Sequence, residues 1–365
     1  NLGHPSAAAP WERLSAQGAA ECPRVNGPCF LRAARERAGA SHIVIVNHAL
    51  LLSDLVAGGG LIPDHDVLIV DEAHHLEEEA TRHLGFDLPQ ARLDEHLRSF
   101  SGDRGVLNNA IAAFRGSTAA ATRRSTVETV CAETASRLPA VRDHAAATFA
   151  LLVGLIARET QEGGNRSREL RISSGTRAQP GWSDLEIAWQ NLDVSMADLD
   201  SSLGRLMTSL DGLEEAGLIN YEALVSEVGR LQQANVEFRQ MLTEFTAQPK
   251  SDAVYWVTQR GYRGEIILHA APLQVGETLD KELFSRRDCV VLTSATLGTN
   301  GSFDHIKERT GFSDADELML GSPFDYPNAA LLCVPDDMPE PNSWAYQAAV
   351  EQAITDSVTA VGGRT

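Results

Sequence analysis

The spacing of apolar and polar positions changes twice along the chain. Up to about residue 85 the apolar residues form short unbroken runs, Ile43-Val44-Ile45-Val46 and Val67-Leu68-Ile69-Val70. Runs of this length fit strands buried on both faces of a parallel sheet. Pro28 to Arg37 and His48 to Val56 read as helices on either side of the first run. From about 86 to 250 the strand signal gives way to helical spacing. Leu185, Trp189, Leu192, Met196, Leu199, Leu203, Leu206, Leu210 and Leu213 follow at steps of four and three, the seam of a coiled-coil-like helix. Leu224, Val228, Leu231, Asn235, Phe238, Leu242 and Phe245 repeat the rhythm, with Asn235 as the polar seam position. Between them Gly217 and Asn220 can end one helix and start the next, so the two are predicted to form a long antiparallel hairpin. A third helix carries Val127, Cys131, Ala135 and Leu138, and Pro139 is expected to kink or end it before Val141, Ala145 and Leu152. The stretch from Glu162 to Gly181 reads as a loop whose arginines (Arg166, Arg168, Arg171 and Arg177) are solvated, with a nucleic-acid contact as the alternative. Strand texture returns at 254–257, 265–268 and 289–292, so the helical region looks inserted between two parts of one sheet. A helix from Phe303 to Thr310, a strand from Leu331 to Val334 and a helix from Ser343 to Val361 complete the pattern.

Composition narrows the class. The chain has 365 residues, enough for two or three domains at roughly 150 each, and 43% of them are hydrophobic, enough for substantial cores. No run reaches the ~18 uninterrupted apolar residues of a membrane helix, and the opening residues lack the plan of a signal peptide. A cytoplasmic piece of a longer protein with no membrane partner is therefore expected. Its five cysteines (Cys22, Cys29, Cys131, Cys289 and Cys333) are irregularly spaced and make no disulfide framework. The last three read as small core residues. With 50 acidic against 31 basic residues the net charge is −19, which excludes indiscriminate nucleic-acid coating and leaves room for a local positive groove.

Two strand ends carry chemistry. Val67 to Val70 delivers Asp71 and Glu72 at a C-terminal strand end, where open α/β sheets bind ligands. In phosphoryl transfer to water an acid here holds Mg²⁺ and its neighbour deprotonates the water, roles that suit Asp71 and Glu72 respectively. The plain alternative is a helix N-terminus, where acids are favoured anyway, and the following Ala73-His74 favours the nucleotide reading. The second strand, Val290 to Leu292, ends in Thr293-Ser294-Ala295-Thr296, whose hydroxyls can bond across the sheet to the carboxylates or to His74. His65, His74 and His75 invite a metallohydrolase reading, which the absence of any helical ligand spacing such as HExxH opposes.

Asp71-Glu72-Ala73-His74 matches the DEAH box and Ser294-Ala295-Thr296 matches motif III of superfamily-two helicases. With Val46-Asn47-His48-Ala49-Leu50-Leu51, Ala271-Pro272-Leu273 and Gly321-Ser322-Pro323-Phe324-Asp325-Tyr326, the chain resembles the DinG branch of the XPD/DinG helicases over nearly its whole length. The resemblance implies an α/β fold: a RecA-like parallel-sheet motor domain interrupted by a long helical, Arch-like insertion, then the start of a second RecA-like domain. Residues 1–85 would belong to the first motor domain and the end of an iron-sulfur insert, 86–250 to the Arch, 251–299 to the return of the first motor domain and 300–365 to the second. It further implies 5′-to-3′ movement on single-stranded and forked DNA, driven by ATP with Mg²⁺ on Asp71. Glu72 would activate water, and His74, Ser294 and Thr296 would couple hydrolysis to motion. Candidate DNA contacts are Asn47, His48, Arg24, Arg32 and Arg35. Cys22 and Cys29 fall where the family's iron-sulfur insert ends, so a [4Fe-4S] cluster would need two more thiolates.

The sequence departs from the family in one place that matters. A phosphate-cradling loop needs Gly-x-x-x-x-Gly-Lys followed by Ser or Thr, and none of the three lysines, Lys250, Lys281 and Lys307, fits. The loop and the later arginine motifs are expected outside the chain, which alone should not hydrolyse ATP. A non-catalytic DNA-binding or scaffold protein with a degenerate helicase fold is the rival reading. A nuclease is a third.

Overall fold

A computed structural model describes residues 30–102, 105–159, 167–213, 217–218, 220–260, 264–329 and 331–362. Two compact units divide the chain, Asn1–Ala315 and Asp316–Thr365.

The larger unit opens with α1 (Phe30–Gly39), which buries no side chain, and α2 (His48–Val56), capped by Asn47, whose Oδ1 accepts the Leu50 N–H. Then come β1 (Val67–Val70), one 3₁₀ turn at Ala73–His75, α3 (Leu76–Leu84) and β2 (Phe86–Pro89). Among the described residues there follow α4 (Gln90–Ser99), α5 (Val106–Arg115), α6 (Ala121–Glu159), β3 (Ser167–Ile172), a single helical turn at Ser174–Arg177, α7 (Pro180–Leu210) and α8 (Tyr221–Thr246). The unit closes with β4 (Ala253–Arg260), β5 (Glu265–Pro272), β6 (Cys289–Leu292) and α9 (Asp304–Thr310). The fold is mixed α/β, with one parallel strand pair and one antiparallel sheet. In the parallel pair, β1 runs beside β6 with Val67 opposite Cys289 and Val70 opposite Leu292. The antiparallel sheet has the order β2-β5-β4-β3.

This layout corrects several expectations. The strands at 254–257 and 265–268 do not rejoin the sheet of Val67–Val70; they pair with each other and with β2 and β3. Both of those partners lie in the stretch that read as purely helical and loop. Among the described residues only β6 pairs with β1. Ile43–Val46 forms no strand, and Ile43 and Ile45 are 80% and 92% exposed, because no described strand lies beside them to take their backbone groups. β1 is not buried on both faces either: Leu68 and Val70 face the core, while Val67 and Ile69 are exposed. The helix does not end at Pro139 but continues through it, 39 residues in all, its apolar side packed along α7. By length and composition α6 could span a bilayer, yet Val127, Leu138, Val141, Phe149, Leu152 and Leu155 lie in the protein core. Cys131 is buried, which pushes its thiol up to about 11, but Cys289 and Cys333 are exposed and are not core residues.

Two hydrophobic cores hold the larger unit together. The first lies between the inner face of the four-stranded sheet (Leu88, Leu268, Val257 and Tyr255) and helices α4 to α8. Every residue of the Leu224 to Phe245 seam is buried, Asn235 included. Asn235 is satisfied on both sides of its amide: Oδ1 accepts from His96 Nε2 at 3.1 Å, and Nδ2 donates to the Met196 carbonyl at 2.8 Å and to Asp200 at 2.7 Å. Arg239 braces the same level by donating to Asp193 and Asp200. A polar position met by matching partners fixes the axial register of a helix pair that an all-apolar seam leaves free to slide. Arg177, expected to be solvated, instead lies over the Trp182 and Tyr255 rings and donates to the carbonyls of Phe245 and Thr246, satisfying the end of α8.

The second core gathers Leu51 and Leu52 of α2, Leu68 and Val70 of β1, Ala73, Leu76 and Ala80, with Val275, Leu279, Leu283 and Phe284. Arg309 of α9 pairs with Glu77 of α3 at its edge. Gly311 ends α9 with φ 75°, and a Cβ there would sit 2.3 Å from the Gly276 carbonyl oxygen. Both the left-handed backbone and the close approach demand glycine. Gly311→Ala is expected to lower stability by about 2 kcal/mol or more, read as a shift in the urea unfolding midpoint. An unchanged midpoint would refute the close packing at this turn.

The smaller unit contains α10 (Tyr346–Ala360) and a single helical turn at Tyr326–Ala329. Leu331–Val334 forms no strand, and Leu331, Leu332 and Val334 are exposed, again without a described partner strand.

Candidate functional site at the ends of the parallel strands

The site is built where β1 and β6 run out together. Thr293 N–H donates to the Val70 carbonyl at 2.9 Å, and Ala73 N–H donates to the Thr293 carbonyl at 3.0 Å. The ladder thus carries one step beyond the strands and skips the peptide between Asp71 and Glu72. Glu72 takes up the excess length in a left-handed conformation, φ 50° and ψ 40°, a backbone that costs a non-glycine residue about 1–2 kcal/mol. The chain then turns into Ala73–His75 and α3, whose first turn carries Glu77, Glu78 and Glu79, acids favoured by the helix dipole.

This turn brings together residues more than 200 positions apart. His74 Nδ1 lies 2.7 Å from Ser294 Oγ and 3.3 Å from Glu72 Oε2, and Ser294 Oγ lies 3.4 Å from Glu72 Oε2. Thr296 N–H donates to the same Ser294 oxygen at 3.2 Å. One assignment satisfies all of these: Ser294 accepts from Thr296 N–H and His74 Nδ1–H and directs its own proton to Glu72. The Glu72 side chain stays 57% exposed and that of His74 33%, so the carboxylate is held from one side and open to solvent from the other. Asp71 Oδ1 accepts the Glu72 N–H at 2.9 Å, leaving its second oxygen for an outside ligand. The Asp71 carbonyl is met by His48 Nε2 at 2.9 Å.

The remaining candidate residues stand apart from this centre. Thr296 joins through its backbone, and its hydroxyl has no described partner. Asn47 spends its side-chain oxygen on the α2 cap. Arg32 and Arg35 lie on the exposed α1, where Arg32 pairs with Glu36. Arg24, Cys22 and Cys29 lie outside the described residues. His75 lies tilted beside His74 at a centroid distance of 3.8 Å, whereas His65 is tied to Pro63 and Arg287. Among the described residues no group of three His, Cys, Asp or Glu side chains could hold a metal by itself. A magnesium ion needs only one or two carboxylates when phosphates and waters complete its shell, and the free oxygen of Asp71 suits that. Cys131, Cys289 and Cys333 are scattered over a buried helix, an exposed strand start and the other unit, and offer no cluster site.

Sequence reasoning missed two features. One is the His48 bond to Asp71; a histidine directly after a capping asparagine was its only trace. The other is a polar chain on the outer face of the antiparallel sheet, where Asp87 accepts from His269 Nδ1 at 2.5 Å and His269 Nε2 meets Thr258 at 2.9 Å. Trp256 stacks on the same imidazole. It follows from the strand register alone, which the sequence does not display.

No established family profile matches the chain. An ATP-dependent helicase DinG of Mycobacterium tuberculosis is 33% identical over 97% of this chain and 46% of its own length. This chain is similar in sequence to the DinG-like helicases. An ATP-dependent DNA helicase YoaA of Haemophilus influenzae is 26% identical over 94% of the chain and 46% of its length. A Bacillus subtilis protein named 3′-5′ exonuclease DinG is 26% identical over 85% of the chain and 33% of its length. The chain therefore spans about half or less of these DinG-like relatives. The paired strand ends with Asp71, Glu72, His74 and Ser294 fall inside the shared stretch.

Proposed function

We propose that the chain is the central part of an ATP-dependent DNA helicase that moves 5′ to 3′ on single-stranded DNA and opens forked duplexes in repair or replication. The observation that carries this reading is the Glu72–His74–Ser294 contact, which joins the ends of two parallel strands 222 residues apart in sequence. In this reading β1 and β6 belong to a RecA-like first motor domain within residues 1–85 and 251–299, although β4 and β5 of the latter stretch pair with β2 and β3 against the helical region. Residues 86–250 form the Arch-like insertion and 300–365 begin a second motor domain. A cytoplasmic location, where the DNA is, goes with it.

In this reading Glu72 acts as general base. As water attacks the γ-phosphorus of ATP and the bond to the β-phosphate oxygen breaks, the water's proton passes to the Glu72 carboxylate. Mg²⁺ held by Asp71 would neutralise charge on the phosphate oxygens. Ser294 and His74 hold the other side of the Glu72 carboxylate, so a movement of β6 reaches the base directly through one hydroxyl. That is how hydrolysis and motion of the strand ends are coupled. DNA would be held through its phosphates and by stacking, with Arg24, Arg32, Arg35 and Asn47 as candidate contacts; His48, whose Nε2 is taken up by the Asp71 carbonyl, drops out of that set. A [4Fe-4S] cluster on Cys22 and Cys29 would need two further thiolates.

The complete gene product should hydrolyse ATP at a rate raised at least tenfold by single-stranded DNA, and should unwind a duplex with a 5′ tail but not one with a 3′ tail. DNA binding without any ATPase would instead identify a non-catalytic binding protein. Unwinding from the 3′ tail would reverse the direction.

A further inference from the structure

The peptide between Asp71 and Glu72 is the one the strand ladder leaves out, and it is clamped at both ends by side chains. Its N–H donates to the carboxylate of Asp71 itself at 2.9 Å, and its C=O accepts from His48 at 2.9 Å. Rotation of this peptide plane sets φ of Glu72, which lies at 50° in the left-handed region that non-glycine residues avoid. Such a backbone persists only where its surroundings over-determine it. Asp71 cannot supply that alone, because its carboxylate hangs from the same turn. His48 can: it is the first residue of α2, the Asn47 cap fixes the start of that helix, and Leu51 and Leu52 anchor the helix in the core beside Leu68 and Val70. A carbonyl has no hydrogen to give, so Nε2 of His48 is the donor. That remains true whether or not Nδ1 also carries a proton.

We propose that His48 is a positioning residue for hydrolysis, which holds the Asp71–Glu72 peptide so that the Glu72 carboxylate stays aimed at the attacking water. This rests on the reading of Glu72 as the general base. The bond acts on the backbone and not on substrate, so its loss lowers turnover and leaves nucleotide and DNA affinity in place.

The test uses the complete protein with His48→Ala, His48→Gln, His48→Asn and, in parallel, Glu72→Gln. ATPase kcat and KM are measured at saturating single-stranded DNA, together with the DNA Kd and the thermal midpoint. His48→Ala is expected to lower kcat about tenfold to a hundredfold, with KM for ATP and the DNA Kd within about threefold of wild type. Glutamine places an amide N–H where Nε2 stood and should recover kcat to within about fivefold, whereas the shorter asparagine should not. Unchanged kcat in His48→Ala while Glu72→Gln is inactive would overturn the positioning role alone. A weakened DNA Kd with normal kcat at saturating DNA would overturn it in favour of a direct DNA contact. Turnover in Glu72→Gln would remove the underlying reading itself. Recovery by asparagine equal to that by glutamine would also refute the stated geometry.

Discussion

Glu72→Gln in the complete protein should reduce ATP turnover by about 10²–10⁴-fold, the usual contribution of a positioned base, while nucleotide affinity stays within about threefold. The amide has the shape of the carboxylate and still offers Ser294 an oxygen, so the contact that assembles the site survives. What is lost is the capacity to take a proton from water. Because only the transition state needs that capacity, kcat falls and binding does not. Rapid-quench turnover with radiolabelled ATP and binding of a fluorescent nucleotide measure the two quantities. Near-normal turnover would remove Glu72 from the chemistry. Loss of binding and turnover together would mean that the turn at Asp71 and Glu72 had collapsed.

The second large effect belongs to the helical region. Burial holds His96 down to about 4, against the hydrogen bond to Asn235, which raises it, and with the nearby charge of Arg230 lowering it further. The folded state therefore resists protonation where the unfolded chain, near 6.5, accepts it. Stability from this group is fully present above about pH 6.5, falls as the pH drops toward 4, and the loss is complete below that. A shift of this size is on the order of 3 kcal/mol. His96→Gln keeps a donor toward Asn235 and has nothing to titrate. Urea unfolding of the complete protein at pH 7.5 and 4.5, followed by helical circular dichroism, should show a smaller pH effect in the variant. Carboxylates titrate over the same range in both proteins, so the difference between them isolates His96. Equal pH effects would refute a neutral buried His96. Asn235→Leu at neutral pH should cost about 2–4 kcal/mol, since it strands the His96 N–H and removes a partner of Asp200 in the interior.

These two sites were legible in the sequence to different degrees. Asp71, Glu72, His74, Ser294 and Thr296 stand at the ends of apolar runs, and strand ends are local features, so these candidates could be read from single segments. The helical seams were equally legible, because a 3.6-residue repeat records which side of a helix is buried. Leu185 to Leu210 and Leu224 to Phe245 are buried as that spacing predicts. Asn235 was visible as the odd position in its seam, but His96 was not, since its partner lies 139 residues away.

The sequence by itself determined which polar side chains stand at the strand ends and which faces of the helices are inward, because both depend on short-range order along the chain. Strand partners were decided only in three dimensions. A run such as Val254 to Val257 has the same texture in a parallel as in an antiparallel sheet, and Ile43 to Val46 has the pattern of a strand without forming one. Hydrogen-bond pairing between distant segments settles these cases, and it leaves no mark in either segment alone. For the same reason the left-handed turn at Glu72 and the clamp from His48 belong to the tertiary structure: they arise where the ladder between β1 and β6 skips one peptide and a neighbouring helix supplies the missing bond.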